Sequence, residues 1–246
     1  CSRQKVESCH LLFVLKSQCE QLTDVGFLPR LGCQFHWHNH QYRDFQDFLD
    51  RFSSSKRKKL KRERRRVAEA GVTHEWKLGT QIDDEEWVAI HRLYRSTFNH
   101  YGNYPALTLD FFKYLGEELG EQVVIIQALR DGKMVAASLC FKTSTHFYGR
   151  YWGAKEHIAD LHFETCYYQG IEYCIQNNIK IFEPGAQGEH KVSRGFEPTI
   201  TYSAHYLINP QFRLAIADFL KKEQQHVRMY QKRICATLPF KLASNH

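Results

Sequence analysis

The sequence predicts a mixed α/β fold, of the α+β kind in which the sheet is not purely parallel. Three observations carry this. From Gly71 onward the apolar residues switch repeatedly between helical spacing and strict alternation, so helices and strands follow one another. The pair Asp131-Gly132 stands between two apolar runs, 123–129 and 134–141, which is the signal of an antiparallel hairpin. A chain of 246 residues with 43% hydrophobic and 14% aromatic content can bury one large core or two small ones, which sets it apart from disordered sequences.

The elements are read in chain order. Residues 36–40, His-Trp-His-Asn-His, place alternating imidazoles on one face of a strand. Such a face can bind a metal, but no Cys or acidic partner stands at ligand spacing, so no metal is expected. Phe45, Phe48, Leu49 and Phe52 then fall at i, i+3, i+4 and i+7, the stripe of an amphipathic helix that docks on a core. Residues 56–66 follow as KRKKLKRERRR, nine basic residues in eleven, with Glu63 the single acid. Ser53-Ser54-Ser55 can cap this helix and Gly71 can stop it. Leu60 and Val67 stand seven apart and rest on the protein, which leaves the basic side chains to water or to an anion. That face is either a solvated surface or a platform for phosphate: a nucleic acid such as tRNA, an anionic membrane surface or a pyrophosphate-bearing substrate. Lys58 and Arg62 are its candidate contacts.

Residues 72–78 read as a strand. Asp83 with Glu86 makes a capping box for a helix carrying Trp87, Ile90, Tyr94, Phe98 and Tyr101. Pro105 breaks that helix, and Thr108 caps a short one with Phe111, Phe112 and Leu115. The 123–129 and 134–141 hairpin comes next, then a third strand at 147–152. Asp160 is expected to cap a helix whose buried side is Phe163, Tyr167, Ile171 and Ile175, ending near Asn177-Asn178. A strand at 179–182, a polar loop, a half-buried strand at 199–208 and a final helix at 210–234 complete the set. The face of the 199–208 strand is Ile200, Tyr202, Ala204, Tyr206 and Ile208. This is the element order of a GNAT domain.

The eight cysteines, Cys1, Cys9, Cys19, Cys33, Cys140, Cys166, Cys174 and Cys235, form no CxxC pair and no metal-type cluster, which fits free thiols in a reducing compartment. The apolar run at 123–126 is far too short to cross a bilayer, which takes about 20 residues. A cytoplasmic protein is expected. No signal-type segment precedes the fold, and a chain opening on Cys1 is expected to lack its true N-terminus.

The stretch 42–71, containing SSSKRKKLKRERRRVAEAG, the pieces GAQGEHK (185–191) and RGFEP (194–198), and His162-Phe163-Glu164 with Cys166-Tyr167-Tyr168 resemble the FemAB-like family, peptidoglycan biosynthesis or recognition proteins of the GNAT superfamily. The resemblance implies a GNAT-like acyltransferase fold and the C-terminal part of a tandem GNAT-like protein. Residues 1–41 would be the tail of a truncated first domain, 42–71 an amphipathic and basic helical connector, and 72–246 the acyltransferase domain. It also implies an enzyme that forms an amide bond on a peptide or amino-sugar acceptor in cell-wall metabolism, with aminoacyl-tRNA or acyl-coenzyme A as donor. The alternatives are a coenzyme A dependent N-acetyltransferase and a non-catalytic protein that binds a cell-wall precursor.

Acyl transfer to an amine needs a donor slot, hydrogen-bond donors for the oxyanion and a base for the departing proton. In the loop 183–198, Glu183, Glu189 and His190 are candidate bases. Gln187, Lys191 and Arg194 are candidate substrate contacts, and Gly185, Gly188 and Gly195 let backbone approach a ligand. The same residues are also compatible with a surface connection whose charges pair with one another. Glu164, in the first turn of its helix, suits catalysis or the helix dipole. Arg150 can reach the same cleft. Tyr148 and Tyr151 are expected on opposite strand faces, so that only one, with Tyr151 the candidate, reaches it. The pyrophosphate loop of ordinary GNAT enzymes, Q/R-x-x-G-x-G/A, is matched only in its first half by Arg150-Tyr151-Trp152-Gly153-Ala154-Lys155, which ranks coenzyme A below a tRNA-linked or other large acyl donor.

Overall fold

The computed structural model describes residues 6–186 and 188–241. Cys1 and Gln187 lie outside the described residues. In chain order the elements begin with β1 (Ser8–Val14), α1 (Lys16–Asp24), β2 (Leu28–His38), α2 (Phe45–Asp50), α3 (Ser54–Glu69) and β3 (Val72–Leu78). Then come α4 (Asp84–His100), α5 (Leu109–Glu118), β4 (Val123–Arg130), β5 (Lys133–Lys142) and β6 (His146–Ala154). The last group is α6 (Leu161–Phe163), a π-helical segment (Glu164–Tyr168), α7 (Gln169–Gln176), β7 (Ile181–Glu183), β8 (Glu197–Leu207) and α8 (Pro210–Cys235).

The described residues divide into two compact units. Residues 6–35, 188–192 and 196–238 make the first, and 36–186, 193–195 and 239–241 the second. In the first, β8 lies between β1 and β2. β1 and β8 are antiparallel, with Ser8 opposite Leu207 and His10 opposite His205. Asn209 caps α8 by accepting from the amides of Gln211 and Phe212, and Pro210 occupies the first turn, where its missing N–H costs nothing. Arg30 pairs with Glu223 at 2.7 Å, and Gln224 donates to the Pro29 carbonyl at 2.8 Å, which ties α8 to the start of β2. Ile208 falls beyond β8 and is 45% exposed, so the expected buried face ends at Tyr206.

The second unit holds the hairpin legible in the sequence. β4 and β5 pair antiparallel around Asp131-Gly132, both with φ above zero (51° and 71°), as a tight two-residue turn requires. β3 runs antiparallel to β4, with Val72 opposite Arg130 and Leu78 opposite Val124. β6 is antiparallel to β5, and β7 is parallel to β6. The two last residues of β2 complete the order, Trp37 opposite Phe182 and His38 opposite Ile181.

The capping box is present: Asp83 accepts from the Glu86 amide and Glu86 accepts from the Asp83 amide. Thr108 accepts from the Phe111 amide at the start of α5. Two expected caps differ. Ser53 precedes α3 without a side-chain capping bond, and Asp160, with φ 65°, turns its carboxylate to Arg66 at 3.3 Å instead of to its own helix. A cation on α3 takes up that carboxylate in place of the local amides.

One core cluster packs Trp87, Ile90, Leu93 and Tyr94 of α4 and Phe112 of α5 on Ile125 and Leu139 of the sheet. Full burial of each such side chain contributes about 1.5–3 kcal/mol. A second cluster joins Val67 of α3 to Val72, Ala128, Ala136 and Leu161. Gly153 fixes how close α4 lies to β6: a Cβ there would stand 2.0 Å from the Leu93 carbonyl oxygen. No helix among the described residues is long and apolar enough to cross a membrane.

Candidate functional site

β6 and β7 pair over only three residues: His146 with Ile181, Phe147 with Phe182 and Tyr148 with Glu183. Pro184 then ends the ladder, because proline has no N–H to continue it. β6 runs on to Ala154, still paired with β5 on its other side. Among the described residues no strand continues the β7 side of β6 past Tyr148. The divergence opens a cavity of about 120 Å³ lined by Gly149, Arg150, Trp152, His162, Cys166, Tyr167 and Pro184, among others.

A β-bulge shapes the strand at this point. Leu139 faces Tyr151 and Cys140 faces Gly149, which leaves Arg150 as the extra residue. The bulge resets the alternation, so Tyr148 and Tyr151 share the face of Phe141 and Leu139, contrary to the expectation that they point opposite ways. The Tyr151 ring packs 5.0 Å from that of Tyr94, whereas Trp152 meets His162 at 5.4 Å. Arg150 is exposed, its guanidinium 5.1 Å from the Tyr148 ring.

The opposite wall is the π-helical segment, in which one turn carries an extra residue. Its outer side is pinned by charge. Arg64 of α3 donates from Nε to both Glu164 oxygens at 3.1 Å and from Nη2 to Glu164 and Glu172 at 3.0 and 2.8 Å. Gln169 donates to Glu164 at 2.8 Å, and the Tyr168 hydroxyl donates to Glu63. Arg194 donates to both Glu63 oxygens at 3.1 Å, its guanidinium 3.4 Å from the Phe163 ring centroid. Glu63, Glu164 and Arg194 are all buried. The other side of the same turn presents Cys166 and Tyr167 to the cavity.

Glu183 ends β7 where the strands part. Burial raises its carboxyl above the ordinary carboxylate value, with His146 and Arg150 pulling the other way. Nε2 of His36, a buried imidazole, lies 4.0 Å from the Glu183 carboxylate. The Tyr148 phenol is pushed up, first by burial and then by Glu183.

The structure therefore places Glu183 and Arg150 at the divergence, turns the Tyr151 ring towards Tyr94, and holds Glu164 and Arg194 in buried ion pairs. Glu189, His190 and Lys191 belong to the first unit. There Glu189 accepts from the Tyr230 hydroxyl at 2.6 Å, His190 is exposed, and Lys191 is buried. Gly195 approaches Phe48 and Phe52, where a Cβ would come within 2.9 Å of both, so its small size serves packing. Lys58 and Arg62 line a shallow basic groove on α3. Among the described residues no group of three His, Cys, Asp or Glu is placed to hold a metal. The sequence offers His36 only as a metal ligand, and the local pattern of Cys166 and His162 carries no sign that they line a cavity.

The family described as FemAB-like, peptidoglycan biosynthesis/recognition, matches residues 1–242. The C-terminal domain of a protein described as a lysylphosphatidylglycerol synthetase from Agrobacterium fabrum superposes with a TM-score of 0.62 at 12% identity, over 87% of this chain and 72% of that one. FemX gives 0.60 at 11% identity, over 88% and 76%. L-PGS from Bacillus licheniformis gives 0.58 at 12%, over 85% and 71%. At these identities the likeness is one of fold alone, a mixed α/β fold built on a central sheet. No match is found among curated proteins.

Proposed function

The chain belongs to the FemAB-like family, and we propose that it is an acyltransferase that passes an acyl or aminoacyl group to the amine of a peptide or amino-sugar acceptor in cell-wall metabolism. The observation that carries this reading is the divergence of β6 and β7 with Glu183 at its pivot. An extended donor arm laid along β6 beyond Tyr148 takes the place of the missing strand and satisfies backbone groups that β7 does not reach. The donor carbonyl then sits near Glu183, and an acceptor amine attacks it. The new C–N bond forms, Glu183 takes the amine proton, and collapse of the tetrahedral adduct expels the donor's alcohol or thiol, which leaves with that proton.

A carboxyl raised by burial suits this role, since a base works best with a pKa close to the working pH. His36, whose Nε2 lies 4.0 Å from that carboxylate, pairs with it when protonated. We assign Arg150 to the donor, and prefer an aminoacyl-tRNA donor to acyl-coenzyme A because the segment 150–155 carries only half of the pyrophosphate pattern. The free thiols of the described cysteines fit work in the cytoplasm.

The test is product formation followed by mass spectrometry, with aminoacyl-tRNA or acetyl-coenzyme A as donor and a UDP-linked muropeptide as acceptor. Acylated muropeptide from the wild type and its loss in Glu183→Gln support the reading. Product from coenzyme A alone moves it to the N-acetyltransferase alternative, and no product with either donor sinks it in favour of a non-catalytic binder.

A further inference from the structure

α3 sorts its charges by face. Leu60, Glu63 and Val67 point inward and are at most 4% exposed, and Arg64 is taken up by Glu164 and Glu172. The flanks are neutralised: Arg57 pairs with Asp50 at 2.9 Å, Arg65 with Glu69 at 3.4 Å and Arg66 with Asp160 at 3.3 Å. Among the described residues Lys56, Lys58, Lys61 and Arg62 make no ion pair, and all four are exposed. Ser55, Lys58, Arg62 and Arg65 follow one another at steps of three or four along one side of the helix, with Lys59 beside them. With Lys61 they line a groove of about 610 Å³ that holds no carboxylate.

We propose that this outer face of α3 is a docking surface for the sugar–phosphate backbone of a nucleic acid. Four unpaired cations on about two turns repel one another, and a bound polyanion removes that repulsion while releasing counterions. The array is linear and one helix wide, bounded by Asp50 and Glu69, so it matches a strand of phosphates better than a plane of headgroups. A helix that lies on a membrane also needs apolar side chains to insert, and those of α3 are turned into the core. The same face has no exposed aromatic residue, so bases do not stack on it and the contact is with phosphate alone. Arg62 adds a planar fork that can hold one phosphate through two bonds.

The experiment is fluorescence anisotropy of a labelled RNA hairpin with the full chain across a salt series, repeated with Lys58→Glu/Arg62→Glu and with Lys133→Glu, an exposed cation at the start of β5. Four phosphate contacts predict an affinity loss of roughly a hundredfold between about 50 and about 200 mM salt. The double variant is expected to weaken binding at least tenfold and to flatten the salt slope by about two, with its circular dichroism unchanged, whereas Lys133→Glu stays within about twofold. Binding that ignores salt, or is unaltered in the double variant, overturns the proposal. So does a wild type that leaves the hairpin free yet sediments with phosphatidylcholine–phosphatidylglycerol vesicles in a Lys58- and Arg62-dependent way, which would make the partner a membrane.

Discussion

Glu63, the single acid in the basic run 56–66, accepts two hydrogen bonds at 3.1 Å from Arg194, so this one carboxylate ties α3 to Arg194. Both residues are 4% exposed. Removing one partner takes the opposite charge away from a buried ion. Glu63→Ala is therefore expected to cost about 3–5 kcal/mol in denaturant unfolding. Glu63→Met with Arg194→Met should cost clearly less than the two single changes added together. Additive losses would mean that the pair is not coupled.

Arg64 holds the π-helical wall through a two-pronged contact with Glu164, which a lysine cannot reproduce. Arg64→Lys should lower stability by about 1.5–3 kcal/mol. On the proposed function it should also raise the donor KM more than it lowers kcat, because the wall is displaced and the base is not. Steady-state kinetics with varied donor separate the two.

Glu183→Gln should lower kcat by about 10²–10⁴-fold while leaving the melting temperature close to wild type, as expected for loss of a base. In the unaltered enzyme the rate should fall as pH drops through the Glu183 pKa. Since burial raises that pKa, the acidic limb of the pH profile should lie above the ordinary carboxylate range. A flat profile there would remove Glu183 from the chemistry.

His74 accounts for a pH dependence of folding. Burial, and then the Arg64 charge, push its pKa down from 6.5 to about 4, with Thr165 Oγ1 2.8 Å from Nε2. Between those values the unfolded chain binds a proton that the folded chain does not. Stability from this group is complete above pH 6.5 and is lost as pH falls towards 4, by about 3 kcal/mol in all. Urea titrations at several pH values should show that slope, and His74→Gln should remove it.

Gly153→Ala tests the contact of β6 with α4. The added methyl meets the Leu93 carbonyl and forces strand and helix apart, at about 1–3 kcal/mol or more. Thermal unfolding should report the loss, and near-ultraviolet circular dichroism should change as the Tyr94–Tyr151 contact loosens.

The sequence by itself determined whatever is settled within a turn or a hairpin. The Asp83–Glu86 box, the Thr108 cap, the Asp131-Gly132 turn and the spacing of Trp87, Ile90 and Tyr94 act over a few residues, and each appears where the pattern placed it. Only the tertiary structure decided the site. The bulge at Arg150 that puts Tyr148 and Tyr151 on one face depends on how β6 registers against β5. The approach of His36 to Glu183, and the capture of Glu63 by Arg194 and of Glu164 by Arg64, join segments far apart in the chain. A charge in a sequence has no address until folding supplies its partner, because the cost of burying it is met by the group it faces and not by its neighbours in the chain.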